Sequence, residues 1–471
     1  MQGHCWSANA SQKRAAASLR TYVFGSTDDA KNARLWKRDV NVSIALTLQK
    51  RRRRPRRSRF RSMSVSMRSL LDLAGQLAML FMVLLVAGCA AITPRNALPE
   101  AAAARIEPEG FHNIRYWGDE TASDAVRSEP GSQGSMTQSG IRREARQQAR
   151  LLAISGGAED GAFGAGLLTG WGDAGNRPAF ELVTGVSSGA LIAPFVFLGR
   201  EHDGQLREIF TKYGRKDIFA YNVPSLLEGS ALVDNSPLAH LISKYIDAEF
   251  IREVARERNK GRVLLIGTTN LDAQRPVLWD MGRIAASDSP EALDLFREVL
   301  LASATLPGVF APVRIKVRVG GKDYDELHVD GGVTRQVFIA PSILRLVSAN
   351  PARKMTNGAQ LFVIRNGRID PRWEPVNENV LSVTQRSLST LIKNQGIGDL
   401  YRIYSIAKLN DIEFNLASIP ADFDVQTDEP FDQKYMTALF ERGYEMGSHG
   451  YPWVRSLPGL QAADQQLRPK L

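Results

Sequence analysis

The sequence predicts an α/β protein whose central, largely parallel sheet is flanked by helices. Three observations predict it. From residue 151 onward, short β-favouring apolar runs alternate with helical stretches; a glycine-rich turn follows the first run; and a serine set between glycines follows the second. Parallel strands need long crossover connections, and the helical stretches supply them.

The elements follow in order. Residues 151–154 read as a buried strand, and 180–184 as a second, β-favouring one. Further strands are expected at 263–266, 277–279, 313–319, 327–329 and 361–364. Between them lie helical stretches at 164–171, 190–198, 206–213, 237–246, 250–258 and 290–301. The last third is more helical, with helices at 380–394, 399–408 and 433–446 and a strand near 412–416. No linker-like break precedes it, so it reads as part of one domain spanning 149–455, with a tail at 456–471. The tryptophans at 171, 279, 373 and 453 are expected in the core.

The net charge of +10 suggests a nucleic-acid or membrane partner until its location is considered. Residues 1–88 hold 17 basic and 4 acidic groups, which leaves the rest of the chain near −3. Arg51 to Arg54, Arg56, Arg57, Arg59 and Arg61 form a cationic block, followed by an apolar run at 77–85 and the small residues Val86-Ala87-Gly88 before Cys89. This is the layout of a secretory signal, and the run is short for a membrane span of about 20 residues. Residues 63–88 are therefore read as signal peptide. Residues 1–62 are a basic upstream segment, lying outside the translated product if the start is Met63 or Met67. An arginine block with no folded scaffold, upstream of an export signal, does not point to nucleic acid. The only cysteines are Cys5 and Cys89, so the exported chain has no internal disulfide and no thiolate metal cluster. Residues 89–148, polar and rich in Ser, Gly, Gln and Glu, read as a tether, with a basic helix at 141–150 leading into the fold.

The chemistry is concentrated in three places. Gly185-Val186-Ser187-Ser188-Gly189 lies between a strand and a helix. There Gly185 and Gly189 permit a strained turn that presents Ser187 as a nucleophile. Upstream, Ser155-Gly156-Gly157-Ala158-Glu159-Asp160-Gly161 is a turn whose backbone N–H groups suit a phosphate or an oxyanion. Rossmann glycine spacing and the Walker Gly-Lys-Ser/Thr are both missing, and a serine elbow about 30 residues later favours the oxyanion. Downstream, Asp330-Gly331-Gly332 places a carboxylate at a strand end, either as an Asp-Gly turn or as a base for Ser187. Glu159 and Asp160 lack ligand partners at useful spacing, so neither metal nor cofactor is expected.

Together these pieces resemble the patatin-like phospholipases, over about residues 151–341. The segment Ala302-Ser303-Ala304-Thr305-Leu306-Pro307-Gly308-Val309-Phe310 is similar to one that packs near that family's active site. The resemblance implies a patatin-like three-layer fold and a Ser187/Asp330 dyad. It also implies an oxyanion hole around Gly156, Gly157 and Ala158, with a membrane lipid or fatty-acyl ester as substrate. Val86-Ala87-Gly88-Cys89 likewise resembles a bacterial lipobox, which implies lipidation of Cys89 and an envelope protein anchored in the outer membrane. One departure stands out: the family loop reads Gly-Gly-Gly-x-Arg/Lys-Gly, whereas here Ala158 occupies the third glycine and Asp160 the basic position.

Two other readings stay open. Ser187, Asp330 and His449 occur in the order of an α/β-hydrolase triad, although His449 sits in a turn-like segment. His328 falls on the same strand face as Asp330 and reads as structural. Alternatively, with Asp160 in the loop, the chain is an envelope lipoprotein that binds lipid on a catalytically weak scaffold.

Overall fold

The computed structural model describes residues 95–103, 107–119, 148–220, 233–339, 343–344, 358–427, 429–458 and 460. The basic segment, the signal, Cys89, most of the tether, residues 141–147 of the expected basic helix and most of the tail lie outside them.

Among the described residues nine strands form one sheet: β1 (Arg115–Trp117), β2 (Arg150–Ile154), β3 (Leu182–Val186), β4 (Val263–Asn270), β5 (Arg275–Asp280), β6 (Val313–Val319), β7 (Lys322–Asp330), β8 (Gln360–Arg365) and β9 (Glu413–Ser418). The order is β1-β5-β4-β3-β2-β8-β9, with the β6–β7 hairpin joined to β4. The five strands β4, β3, β2, β8 and β9 run parallel. β5, β1 and the hairpin close one side in antiparallel fashion. The fold is thus the α/β architecture expected, with a largely parallel centre.

Burial explains why the central strands read as continuous apolar runs rather than alternating ones. In β2, Leu152 and Ile154 join one hydrophobic cluster and Leu151 and Ala153 the other, so both faces are covered. On the first face pack α1 (Gly161–Asp173), α2 (Ser188–Leu198), α3 (Asp203–Lys212), α4 (Ser236–Tyr245), α5 (Ala248–Asn259), α6 (Ala292–Ser303) and the C-terminal α8 (Gln433–Ser448). The second face is covered by Val337, Phe338, Ile339, Ile343 and Leu344 and by the C-terminal half of α7 (Val380–Leu409), through Leu400, Ile403, Tyr404 and Ala407.

Four local readings change. The two helices expected at 380–394 and 399–408 are one helix of 30 residues; Gly396 and Gly398 between them are carried within it. Part of the stretch read as tether is docked on the domain: β1 pairs with β5, and Phe111 and Ile114 are buried. Arg150, expected at the end of a helix, opens β2. Trp373, expected in the core, is 93% exposed.

α1 and α8 approach closely enough for glycines to be required. A Cβ on Gly166 would lie 2.0 Å from the Phe440 carbonyl oxygen, and one on Gly170 would lie 2.1 Å from that of Tyr444. Reciprocally, Gly443 and Gly447 face the carbonyls of Phe163 and Leu167 at 2.4 and 2.2 Å. Backbone packs on backbone along this seam, so the helix that begins at the glycine-rich loop is held by the end of the chain.

Candidate active site

The sheet register assembles the site. β2 and β3 are parallel neighbours, so the loops that follow them emerge at the same end. Val186, the last residue of β3, pairs with Gly267 of β4, and the next residue of β4, Thr268, pairs with Asp330 of β7. Ser187 and Asp330 therefore come together along one edge of β4, whose other edge is taken by β5. A Cβ on Gly331 would come within 2.4 Å of the Gly267 carbonyl, which is why the turn after Asp330 has no side chain there.

Ser187 adopts φ 56° and ψ −127°, a conformation that costs an L-residue about 1–3 kcal/mol and persists only when its surroundings impose it. Those surroundings are tight: a Cβ on Gly185 would meet the Gly189 carbonyl at 2.4 Å, and one on Gly189 the Ile154 carbonyl at 2.4 Å. The Ser187 N–H is held by Ser303 Oγ at 3.1 Å, which in turn donates to the Gly267 carbonyl at 2.7 Å. Ser303 lies in the family-similar segment at 302–310, and this contact gives that segment a physical role. The Ser187 side chain favours the charged form of the Asp330 carboxylate. Burial nevertheless pushes the Asp330 carboxyl up to about 6, against Ser187 and the Gly332 N–H, which donates to it at 2.7 Å.

The glycine-rich loop lies against the serine: a Cβ on Gly156 would sit 2.9 Å from Ser187 Cβ. Of its three expected oxyanion donors, one is committed elsewhere, because the Gly156 N–H donates to the Gln336 carbonyl at 3.0 Å. The N–H groups of Gly157 and Ala158 meet no acceptor among the described residues. Ala158 holds φ 51°, so the loop keeps a left-handed turn where the family pattern has glycine, at a cost of about 1–2 kcal/mol. Asp160 is turned aside: its carboxylate accepts a 2.6 Å bond from the Tyr435 hydroxyl of α8. Burial raises its pKa, while Tyr435 and the charges of Arg365, Arg372 and Arg368 pull it back.

The histidines stand apart. His449 bonds the Glu445 carbonyl and the Ser448 hydroxyl at an exposed helix end. His328 is fully buried, with Thr268 on one ring nitrogen and Glu326 on the other. Gln336, Arg365, Asn366 and Tyr435 all contact the loop and were not singled out from the sequence, since nothing in their local patterns marks them.

Residues 152–343 match the family model described as patatin-like phospholipase, and the chain is a lipid acyl hydrolase. Among solved structures, one that aligns is VipD from Legionella pneumophila, 10% identical over 65% of this chain and 67% of that one, with a TM-score of 0.28. The search of curated proteins finds no match.

Proposed function

We propose that the protein hydrolyses acyl esters of membrane lipids through a Ser187/Asp330 dyad. The observation that carries the reading is the placement of Ser187, on its strained elbow, and the buried Asp330 carboxylate at consecutive positions along one edge of β4. Asp330 takes the proton as Ser187 Oγ attacks the acyl carbonyl. The resulting oxyanion falls to the free N–H groups of Gly157 and Ala158, each worth about 3–4 kcal/mol. Asp330 then returns the proton to the departing alcohol. In the second half, water attacks the acyl-enzyme and gives its proton to Asp330, which passes it to Ser187 Oγ as the acyl–Oγ bond breaks and the fatty acid leaves, restoring both groups.

A membrane substrate is supported by the first half of α7, where Val380, Val383, Leu388 and Leu391 are exposed, Val380 by 84% and Leu391 by 67%. The same helix reaches the catalytic loop, since Gln395 bonds the carbonyl of Val333, three residues past Asp330. Among the described residues no helix is long and apolar enough to cross a membrane. Attachment is assigned to a lipid on Cys89, with the domain in the bacterial envelope at the outer membrane.

Two measurements test this. With purified protein and vesicles of varied head group, Ser187→Ala is expected to lose fatty-acid release by 10³-fold or more and to lose fluorophosphonate labelling (on the order of 10⁶ is seen for comparable nucleophiles). His449→Ala should keep both; loss on that change would restore the triad. In cells, Cys89→Ser should abolish fatty-acid labelling and free the protein from the membrane fraction. Unchanged fractionation would remove the anchor.

A further inference from the structure

The family pattern places a cation inside the glycine-rich loop, and here that position is Asp160. A cation nevertheless stands at the loop, delivered from the far side of the sheet. Arg365, the last residue of β8, is 5% exposed, and its Nη1 lies 3.3 Å from the Gly156 carbonyl oxygen and 3.3 Å from Ser155 Oγ. Ser155 Oγ donates to the same Gly156 carbonyl at 2.7 Å and accepts the Asn366 N–H at 2.8 Å, which uses its single donor and leaves it to accept. Among the described residues Arg365 makes no salt bridge within 4.0 Å. Asp160 and Asp399 act on it only at longer range. The fold also makes room for it: a Cβ on Gly396 of α7 would lie 2.9 Å from the guanidinium carbon.

The Gly156 carbonyl and the Gly157 N–H belong to one peptide group. In a planar trans peptide they point in opposite directions. Two donors on the carbonyl therefore aim the Gly157 N–H away from Arg365, and they polarise the group so that its N–H donates more strongly. That N–H has no acceptor among the described residues.

We propose that Arg365, with Ser155, is a positioning residue of the oxyanion hole, orienting and polarising the Gly156–Gly157 peptide in place of the cation that the loop lacks at residue 160. The inference rests on the Ser187/Asp330 reading. Arg365 does not touch substrate; it acts through the peptide. Asp160, held aside by Tyr435, leaves the guanidinium free to bond the loop carbonyl instead of a carboxylate.

The test is steady-state hydrolysis of a soluble short-chain ester by the full chain, with melting temperature measured for each variant. Arg365→Met is expected to lower kcat by 10- to 100-fold with KM within two-fold, and to slow fluorophosphonate labelling of Ser187 in parallel. Arg365→Lys should recover part of the loss. Ser155→Ala should lower kcat by about 5- to 10-fold, a fraction of the loss expected when a whole oxyanion donor is removed. The double variant should fall short of the product of the single effects, because both groups act through one carbonyl. A folded Arg365→Met with unchanged kcat, or with KM alone altered, overturns the proposal. If Arg365→Met does not fold, an unchanged kcat in both Arg365→Lys and Ser155→Ala overturns it. Ser187→Ala separates the two readings: if it is inert while the Arg365 and Ser155 variants are normal, only this inference fails. If it stays active, the dyad fails and this inference with it.

Discussion

In the proposed dyad Asp330 can take the Ser187 proton only when ionised, and burial lifts its carboxyl to about 6. Below that pH the group is protonated and cannot take the Ser187 proton, so kcat/KM is expected to fall with unit slope as pH drops through about 6. Glu159, one residue past the Ala158 donor, is pushed up to about 7 by burial, against a hydrogen bond to its own backbone. Its ionisation adds negative charge beside the developing oxyanion, so activity should decline above pH 7, and Glu159→Gln should remove the decline while keeping the acid limb. A pH–rate profile of both proteins checks each limb. At this scale the sequence was informative wherever a residue's role is local. Ser187 between glycines and Asp330 before glycines both announce turns. The commitment of the Gly156 N–H to Gln336 announces nothing, because its partner is 180 residues away.

The seam between α1 and α8 shows what an element requires beyond its own propensity. Glycine weakens a helix interior by about 1 kcal/mol relative to alanine, yet α1 contains Gly164, Gly166, Gly170 and Gly172. At Gly166 and Gly170 any side chain would enter the α8 backbone. Gly166→Val is therefore expected to destabilise the fold by about 3 kcal/mol, since the obstructing atoms are main-chain and cannot swing aside. A denaturant midpoint lowered at constant slope would verify this. An unchanged midpoint would show that the helices can separate. The sequence predicted both helices from their apolar periodicity. Their contact was not legible, because a glycine row says only that something passes closely, not what.

For the molecule as a whole, the family-matching segment ends at residue 343 and the structure does not. β8 pairs along β2, β9 along β8, and α8 covers α1. A fragment of residues 149–343 should consequently lack a cooperative thermal transition and aggregate, with β2 left as an open apolar edge. A soluble, cooperatively melting fragment would contradict this. What the sequence by itself determined was the layered α/β class and the order of loop, elbow and carboxylate. Each of these rests on short-range periodicity and on glycines whose turns are built within a few residues. Only the tertiary structure decided that Arg365 and Tyr435 complete the loop from β8 and α8, that Gly157 and Ala158 keep their N–H groups free, and that His449 lies apart. Those outcomes depend on contacts between residues up to 275 positions apart, such as Tyr435 with Asp160, which exist only once the sheet register has brought the strand ends together.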